Sequence, residues 1–384
     1  MCGFAAYAPF TCVPDEEIRA RVHRMTDALR HRGPDDHGLW MDAEARICLG
    51  FRRLSILDLS PAGHQPMVSA SGRYAIVFNG EIYNFRDLRA ELEASGDAPL
   101  WRGHSDTEVV LAVVDRFGPQ NAIPRLLGMF AMAIWDRSER ALWLARDRLG
   151  KKPLYYGSTS QGLLIASELK AFYQVPEFAP RIDRSALKAF MRLGYIPSPR
   201  TIFEGFSKLP AGHILRIDIE QLRRKSTVPS PSLYWSIADI AVAGQASLRE
   251  GNAATQEEFE ALLDDATRRR LVADVELGAF LSGGIDSSLV VARMVALSDR
   301  PPRTFSIGFT EDRWNEAHHA CRIAAHLGTD HTELLVTPEE TLAVVPELGL
   351  IYDEPFADPS MIPTLLVCRL PRRHVTVALS GDGG

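Results

Sequence analysis

Two short strings carry groups that could do chemistry. At the start, "MCGF" places a thiol at Cys2, directly before a glycine. Such a cysteine can be incidental, a lipid attachment site, or a nucleophile whose base is a chain-terminal α-amine. N-myristoylation needs glycine directly after the initiator, and here glycine comes one place later. An α-amine has a reference pKa of about 7.7–8.0, so part of it is free base near neutrality and can take the thiol proton. Far downstream lies "LSGGIDSS" (Leu281–Ser288), between an apolar strand pattern and a helix pattern. Gly283 and Gly284 permit backbone angles that let successive N–H groups converge on an anion. Ser282, Ser287 and Ser288 add hydroxyl donors, and a helix N-terminus adds partial positive charge. Asp286 can hold a magnesium ion on phosphate oxygens. No G-x-x-x-x-G-K-[ST] accompanies the string, so it is not the NTPase P-loop. By itself the string would also serve as a plain glycine turn between a strand and a helix.

Other reactive residues are less suggestive. The five cysteines are irregularly spaced and form no C-x-x-C, which argues against a disulfide framework or a zinc site and favours a reducing compartment. His318-His319 lacks metal-ligand spacing. The net charge of -6 is spread in mixed signs. The short runs Arg268–Arg270 and Arg223–Lys225 read as solvated charge, so no nucleic-acid footprint is expected. No apolar stretch reaches the ~18–20 residues that span a bilayer, and the N-terminus lacks the pattern of a signal peptide. The expectation is a cytoplasmic protein without membrane contact.

The 384 residues exceed one ordinary core, so two domains are expected. Up to about residue 215, alternating runs punctuated by Gly, Asn, Asp and Ser read as strands. These are "RICLGFRRLSILD", "RYAIVFNGEIYN", "FAMAIWDRSERALWLARD", "PLYYGSTSQGLLIAS" and "GHILRID". Helices are expected near Glu16–Leu29 and Ser105–Phe117, the latter with Ser105 or Asp106 as N-cap. Antiparallel strands with a few helices make an α+β layered domain over 1–215. A polar, Pro- and Ser-rich stretch reads as a linker over 216–254. From 255 to 384 strands and helices alternate: helices at Gln256–Val272, from Ser287, near Asn315–Leu327, Pro338–Leu348 and Ser360–Leu370, and strands "VELGAFL", "RTFSIGF", "TELLV" and "VTVALS". That alternation means a parallel, doubly wound α/β sheet, which reads as cut short after its last strand.

The strings "SGGIDSS" and "LSGDGG" resemble the pyrophosphate-binding loops of ATP pyrophosphatases. "MCG", "RHRGPDD", "RRLSILD", "NGEIYN" and "SDTE", in that order, resemble the class II glutamine amidotransferases, whose fold is the N-terminal-nucleophile layered type. Together they resemble the glutamine-hydrolysing asparagine synthetases over essentially the whole chain. The resemblance implies that Cys2, freed by loss of the initiator, attacks the amide of glutamine. Asn79 and the Gly80 N–H would form the oxyanion hole, although Asn-Gly alone is also a strong hairpin-turn signal. Arg53 would grip the substrate carboxylate; Arg52 would face the other way, and the choice between them rests on the family register. Glu81 and Asp106 would meet the ammonium, a role compatible with an N-cap at Asp106. No chemical role can be assigned to His31 within "HRGPDD". Ammonia would pass internally to the second site, near the segments Asp147–Tyr156 and Ala166–Phe172. There Leu281, Ser282, Gly283, Gly284, Asp286, Ser287, Ser288, Ile307, Ser380 and Gly381 would contact ATP. Asp382 stands where the family often has glutamate and would help form the acyl-adenylate. "YDEPFADPS" (Tyr352–Ser360) could approach the acceptor or a metal, or be a loop of solvated acids. The resemblance thus implies ATP and Mg2+, with aspartate amidated through β-aspartyl-AMP, or another carboxylate such as a sugar acid. Small-molecule substrates and a candidate homodimer are the partners expected. Because the acceptor-binding segments of the family pattern lie beyond residue 384, this chain alone is expected to hydrolyse glutamine without making an amide.

Overall fold

The structure, a computed structural model, describes residues 1–225, 227–310 and 317–381. The chain forms two units. One comprises Met1–Ser247 with Asp353–Phe356, the other Leu248–Tyr352 with Ala357–Gly384. Among the described residues no helix is long and apolar enough to cross a membrane.

The first unit is built on two antiparallel six-stranded sheets. Its strands are β1 (Gly3–Pro9), β2 (Asp36–Asp42), β3 (Ile47–Arg53), β4 (Met67–Val68), β5 (Tyr74–Ile82), β6 (Gly128–Asp136), β7 (Ala141–Arg146), β8 (Tyr155–Ser158), β9 (Gly162–Ala166), β10 (Phe206–Lys208), β11 (His213–Asp218) and β12 (Ser232–Leu233). One sheet has the order β10-β8-β9-β1-β3-β2, the other β12-β11-β7-β6-β5-β4. Their facing sides share one core in which Phe4, Ala6, Leu49 and Phe51 meet Val77, Ala133, Trp135 and Leu144. The alternate residues of β1, Ala5 and Tyr7, point the other way, into Ile18, Val22, Met25 and Leu29 along and just past the helix Asp15–Asp27. Burial on both faces explains why "GFAAYAP" is apolar throughout rather than alternating.

All five strand strings read from the sequence are strands. The two expected helices occur as Asp15–Asp27 and Asp106–Phe117, with Ser105 as the N-cap accepting from the Glu108 N–H. The helices Phe85–Ser95 and Arg184–Leu193 were not expected. Each ends at a left-handed glycine, Gly96 and Gly194, a terminator the sequence does display. The stretch read as a linker starts inside β11. It continues as the helix Ile219–Lys225, the edge strand β12 paired to β11, and the helix Ile237–Ala246, in which no residue is buried.

The second unit is a parallel four-stranded sheet of β13 (Leu277–Phe280), β14 (Arg303–Phe309), β15 (Asp330–Val336) and β16 (Val377–Leu379), in the order β15-β14-β13-β16. The chain steps from β13 outward through β14 to β15, then returns to the far side of β13. A switch point therefore opens between β13 and β16, at their carboxyl ends. The helix expected near Asn315–Leu327 is described from Ala317 to Leu327, its start lying outside the described residues. The single helix expected over Pro338–Leu348 is two, Pro338–Ala343 and Val345–Ile351, the second with Pro346 in its first turn.

Candidate active site

Cys2 stands one residue before β1. The antiparallel register pairs Gly3 with Arg52, which sets Cys2 beside the end of β3. There the Leu54 N–H donates to Sγ at 3.4 Å, and Sγ–H lies 3.6 Å from the Leu54 carbonyl. Burial pushes the thiol pKa up. The Leu54 hydrogen bond, the N-terminal amine, Lys152 and Arg53 work against that rise.

The "HRGPDD" turn has the structural role that its sequence left open. Arg32 Nε donates to the Cys2 carbonyl at 2.8 Å, and its Nη1 reaches Glu168 at 2.6 Å. His31 and Lys170 converge on the same carboxylate at 3.0 and 2.8 Å. Burial opposes ionisation of Glu168, yet the His31 hydrogen bond, the Arg32 charge and Lys170 hold it well below the usual carboxylate range. A Cβ on Gly33 would stand 2.3 Å from the Arg52 carbonyl carbon, so only glycine lets the turn lie against β3. The turn is therefore a brace that fixes both Cys2 and the end of β3.

Arg52 and Arg53 separate as alternation on a strand requires. Arg52 pairs with Asp27 and donates to the Thr26 carbonyl. Arg53 is buried and donates to the carbonyls of Ser60 (3.1 Å), Leu57 (3.4 Å) and Asp58. Arg53 is also the member of the pair whose charge acts on Cys2.

Asn79 and Gly80 do not form a turn. Both lie within β5, opposite Ala131 and Phe130 of β6. Asn79 is 1 % exposed, and its Nδ2 has no hydrogen-bond partner among the described residues. An orphaned buried donor is costly and uncommon. Two residues on, the Ile82 N–H donates to Asp106 Oδ2 at 2.8 Å. Asp106 is the first residue of its helix and is buried, which pushes its carboxyl up to about 7; hydrogen bonds from Ile82 and Thr107 oppose the rise, and the Glu81 charge adds to it.

The sequence reading did not single out Lys152. The Asp147 carboxylate accepts from the N–H groups of Phe130 (3.1 Å), Leu149 (3.1 Å), Lys151 (2.9 Å) and Lys152 (3.0 Å), and so folds the loop after β7. The loop buries Lys152 to 5 % exposure, within electrostatic reach of Cys2, Glu81 and Arg32. A lysine flanked by "PLYY" was the available signal: an ammonium at the head of an apolar strand needs a reason to be there.

In the second unit the expected loop follows β13. Leu281 is buried and donates from its N–H to the Phe305 carbonyl at 2.9 Å. Ser282 and Ser287 lock the loop by hydroxyl contact at 2.9 Å, and the Gly284 N–H donates to Ser282 Oγ at 3.3 Å. Ser288 Oγ donates to the Gly284 carbonyl at 2.6 Å. Gly283 has φ +83, and a Cβ there would meet His319 Cβ at 2.8 Å, so both conformation and space require glycine. The helix Ile285–Leu297 begins at this loop, with Asp286 exposed in its first turn. Ser380 and Gly381 leave the adjacent strand β16, and a Cβ on Gly381 would lie 2.7 Å from the Ser287 N–H nitrogen. Two loops nearly a hundred residues apart in sequence thus touch at the switch point. Ile307 lies two residues past Phe305, which pairs with Phe280. Asp382 lies outside the described residues. Among the described residues no three His, Cys, Asp or Glu side chains group to hold a metal by themselves. Asp286 fits a magnesium ion only as one ligand, with phosphate oxygens supplying the others.

Of the acids in "YDEPFADPS", Asp353 pairs with Lys170 at 3.2 Å. Glu354 pairs with Lys208 at 2.6 Å and accepts from the Ile202 N–H at 2.7 Å. Asp358 accepts from the Ser360 N–H at 2.8 Å. The first two are structural ions of the first unit rather than solvated acids.

A glutamine amidotransferase domain model matches residues 1–228, and an asparagine synthase model matches residues 258–384. A putative glutamine-hydrolysing asparagine synthetase of Mycobacterium tuberculosis is 36% identical, covering 100% of this chain and 59% of the relative. The glutamine-hydrolysing asparagine synthetase 1 of Bacillus subtilis is 35% identical, covering 100% of this chain and 58% of its own length. A putative asparagine synthetase 2 of Methanocaldococcus jannaschii is 34% identical, covering 100% of this chain and 74% of its own length. The chain therefore spans about three-fifths of the first two relatives. Among solved structures, a glutamine phosphoribosylpyrophosphate amidotransferase of B. subtilis matches 87% of this chain and 65% of its own, with a TM-score of 0.44 and 16% identity.

Proposed function

Because this chain belongs to the glutamine-hydrolysing asparagine synthetase family, we propose that its first unit hydrolyses glutamine at Cys2 and that its second binds the ATP that activates a carboxylate for amidation. The observation that carries the glutaminase reading is Asn79 Nδ2, a buried donor with no hydrogen-bond partner among the described residues. Such a group is costly unless a ligand completes it. A tetrahedral oxyanion would do so.

With Met1 removed, the Cys2 amine takes the thiol proton and Sγ attacks the side-chain carbonyl of glutamine. The carbonyl π-electrons move to oxygen, where Asn79 Nδ2 and the Gly80 N–H donate to the charge. Collapse breaks the C–N bond. The ammonium formed on Cys2 returns its proton to the leaving nitrogen, giving ammonia and a thioester. Water then cleaves the thioester to glutamate and restores the thiol. Arg53 fits the substrate carboxylate as a planar fork, and Glu81 and Asp106 fit its ammonium.

In the second unit the ATP phosphates fit the loop Ser282–Ser288, the N-terminus of the helix behind it and the Ser380–Gly381 turn. A carboxylate would attack the α-phosphorus and release pyrophosphate. Ammonia would then displace AMP from the acyl-adenylate to give the amide. Magnesium would neutralise charge on the departing pyrophosphate, held by Asp286 and ATP oxygens. Aspartate is the acceptor proposed, through β-aspartyl-AMP, with Asp382 at the adenylate.

Cys2→Ala tests the first half. Glutamate release should fall by at least about a thousandfold, since removing a nucleophile leaves only binding and the oxyanion donors. Retained hydrolysis would take Cys2 out of the mechanism. Acceptor-dependent pyrophosphate release, with aspartate against other carboxylates including sugar acids, tests the second half.

A further inference from the structure

Lys152 is a buried cation that the chemistry above does not use. Its backbone N–H is fixed by Asp147, and its ammonium donates to the thioether of Met1 at 3.1 Å. A thioether is a weak acceptor, and Met1 is the residue whose loss the nucleophile requires. Removal of Met1 takes away this partner and leaves the ammonium beside the new terminus.

We propose that the Lys152 ammonium, which its contact with Met1 places beside the N-terminus, stabilises the Cys2 thiolate that forms when the nucleophile loses its proton after Met1 has been removed. The inference rests on the glutaminase reading of Cys2. Several groups face the thiol. They are the chain-terminal amine, here that of Met1, Arg53 from the end of β3, Lys152 from the loop after β7, and Arg32, which donates to the Cys2 carbonyl. Arg32 is matched by Glu168, and Arg53 is held by carbonyl oxygens and committed to the substrate carboxylate. The acids that act on Lys152 are Glu81 of β5, itself beside Asp106, and Asp147, whose oxygens are taken up by backbone donors. Lys152 is the remaining buried cation, and its Nζ lies 3.1 Å from the sulfur of Met1, one residue before the thiol.

Lys152→Met keeps the side-chain length and removes the charge, and replacing a buried ion by an apolar isostere is often neutral or stabilising. The Cys2 peptide is followed by mass spectrometry after iodoacetamide treatment across pH, because Cys12 and Cys368 are exposed and also react. K152M should move the Cys2 alkylation midpoint up by about one pH unit and lower kcat for glutamine hydrolysis at pH 7 about tenfold, with KM nearly unchanged. Lys152→Arg should restore most of both. An unmoved midpoint in folded K152M overturns the proposal. So does a K152M chain that fails to fold, since the ammonium would then be a structural requirement. Failure of the glutaminase reading is separable: wild-type chain would not release glutamate, whereas the alkylation profile reports on Lys152 either way.

Discussion

The proposed role of Asp106 sets two demands against each other. A ligand for the glutamine ammonium would have to be ionised, yet its burial between the Ile82 N–H and the helix Asp106–Phe117 makes ionisation expensive. The carboxyl moves from its ordinary 3.8 to about 7. The unfolded chain therefore binds fewer protons than the folded one between those values, and stability falls as pH rises through that window. The cost is fully present above pH 7 and is on the order of 4 kcal/mol. Asp106→Asn should consequently stabilise the first unit by about 2–4 kcal/mol at pH 8, with the gain shrinking toward pH 4. It should also raise KM for glutamine at least about tenfold, because a buried charge-assisted contact is lost. Wild-type KM should rise as pH drops below 7, and KM of the variant should be flat there. Thermal melts and steady-state kinetics on the same pH series check both. A variant whose gain over the wild type is no larger at pH 8 than at pH 4 would refute the burial cost.

At the scale of elements, the loop after β7 hangs on one side chain. Asp147 accepts from four backbone N–H groups, two of them on residues as buried as Phe130 and Lys152. Asp147→Ala leaves those donors without their acceptor, and each buried orphan costs about 1–3 kcal/mol. The urea midpoint should drop by the equivalent of at least about 3 kcal/mol with little change in slope. A loss under about 1 kcal/mol would mean that the loop keeps its shape by packing alone. The same loop shows where sequence reading stops. Local signals carried far: the strand "RYAIVFNGEIYN", the helix cap at Ser105 or Asp106 and the glycine loop after β13 all fold as their patterns dictate. What local pattern could not supply was pairing across distance. Asn79-Gly80 is a turn signal by composition, but nine residues of cross-strand pairing with β6 hold it straight. Arg52 and Arg53 are equivalent until Asp27 takes one of them. Lys152 and the Arg32–Glu168 brace are set by partners more than a hundred residues away. The acids Asp353 and Glu354 read either as approaching an acceptor or metal or as solvated, until Lys170 and Lys208 are seen beside them.

The whole molecule carries two cores of unequal size. In the first unit a single apolar cluster runs through both sheets, from Phe4 to Leu222, and a second lies under the helix Asp15–Asp27. Among the described residues the second unit has three separate small clusters, around Val291, Phe305 and Val336, and leaves Leu342, Leu350 and Ile285 69%, 77% and 86% exposed. Less contiguous apolar burial means less stabilisation to set against chain entropy. Calorimetry should therefore show two transitions, the lower belonging to the second unit. Ligands then assign them. Magnesium-ATP at a hundredfold over its Kd adds about 2.7 kcal/mol to the unit that binds it. For a unit of this size that raises its transition by roughly 5–10 °C. The lower transition should move and the upper should not. Covalent modification of Cys2 by a glutamine-like chloroketone should act on the upper alone, because in the proposed oxyanion hole the adduct would give Asn79 Nδ2 an acceptor. Movement of the upper transition with ATP would contradict the assignment of the Ser282–Ser288 loop as the nucleotide site.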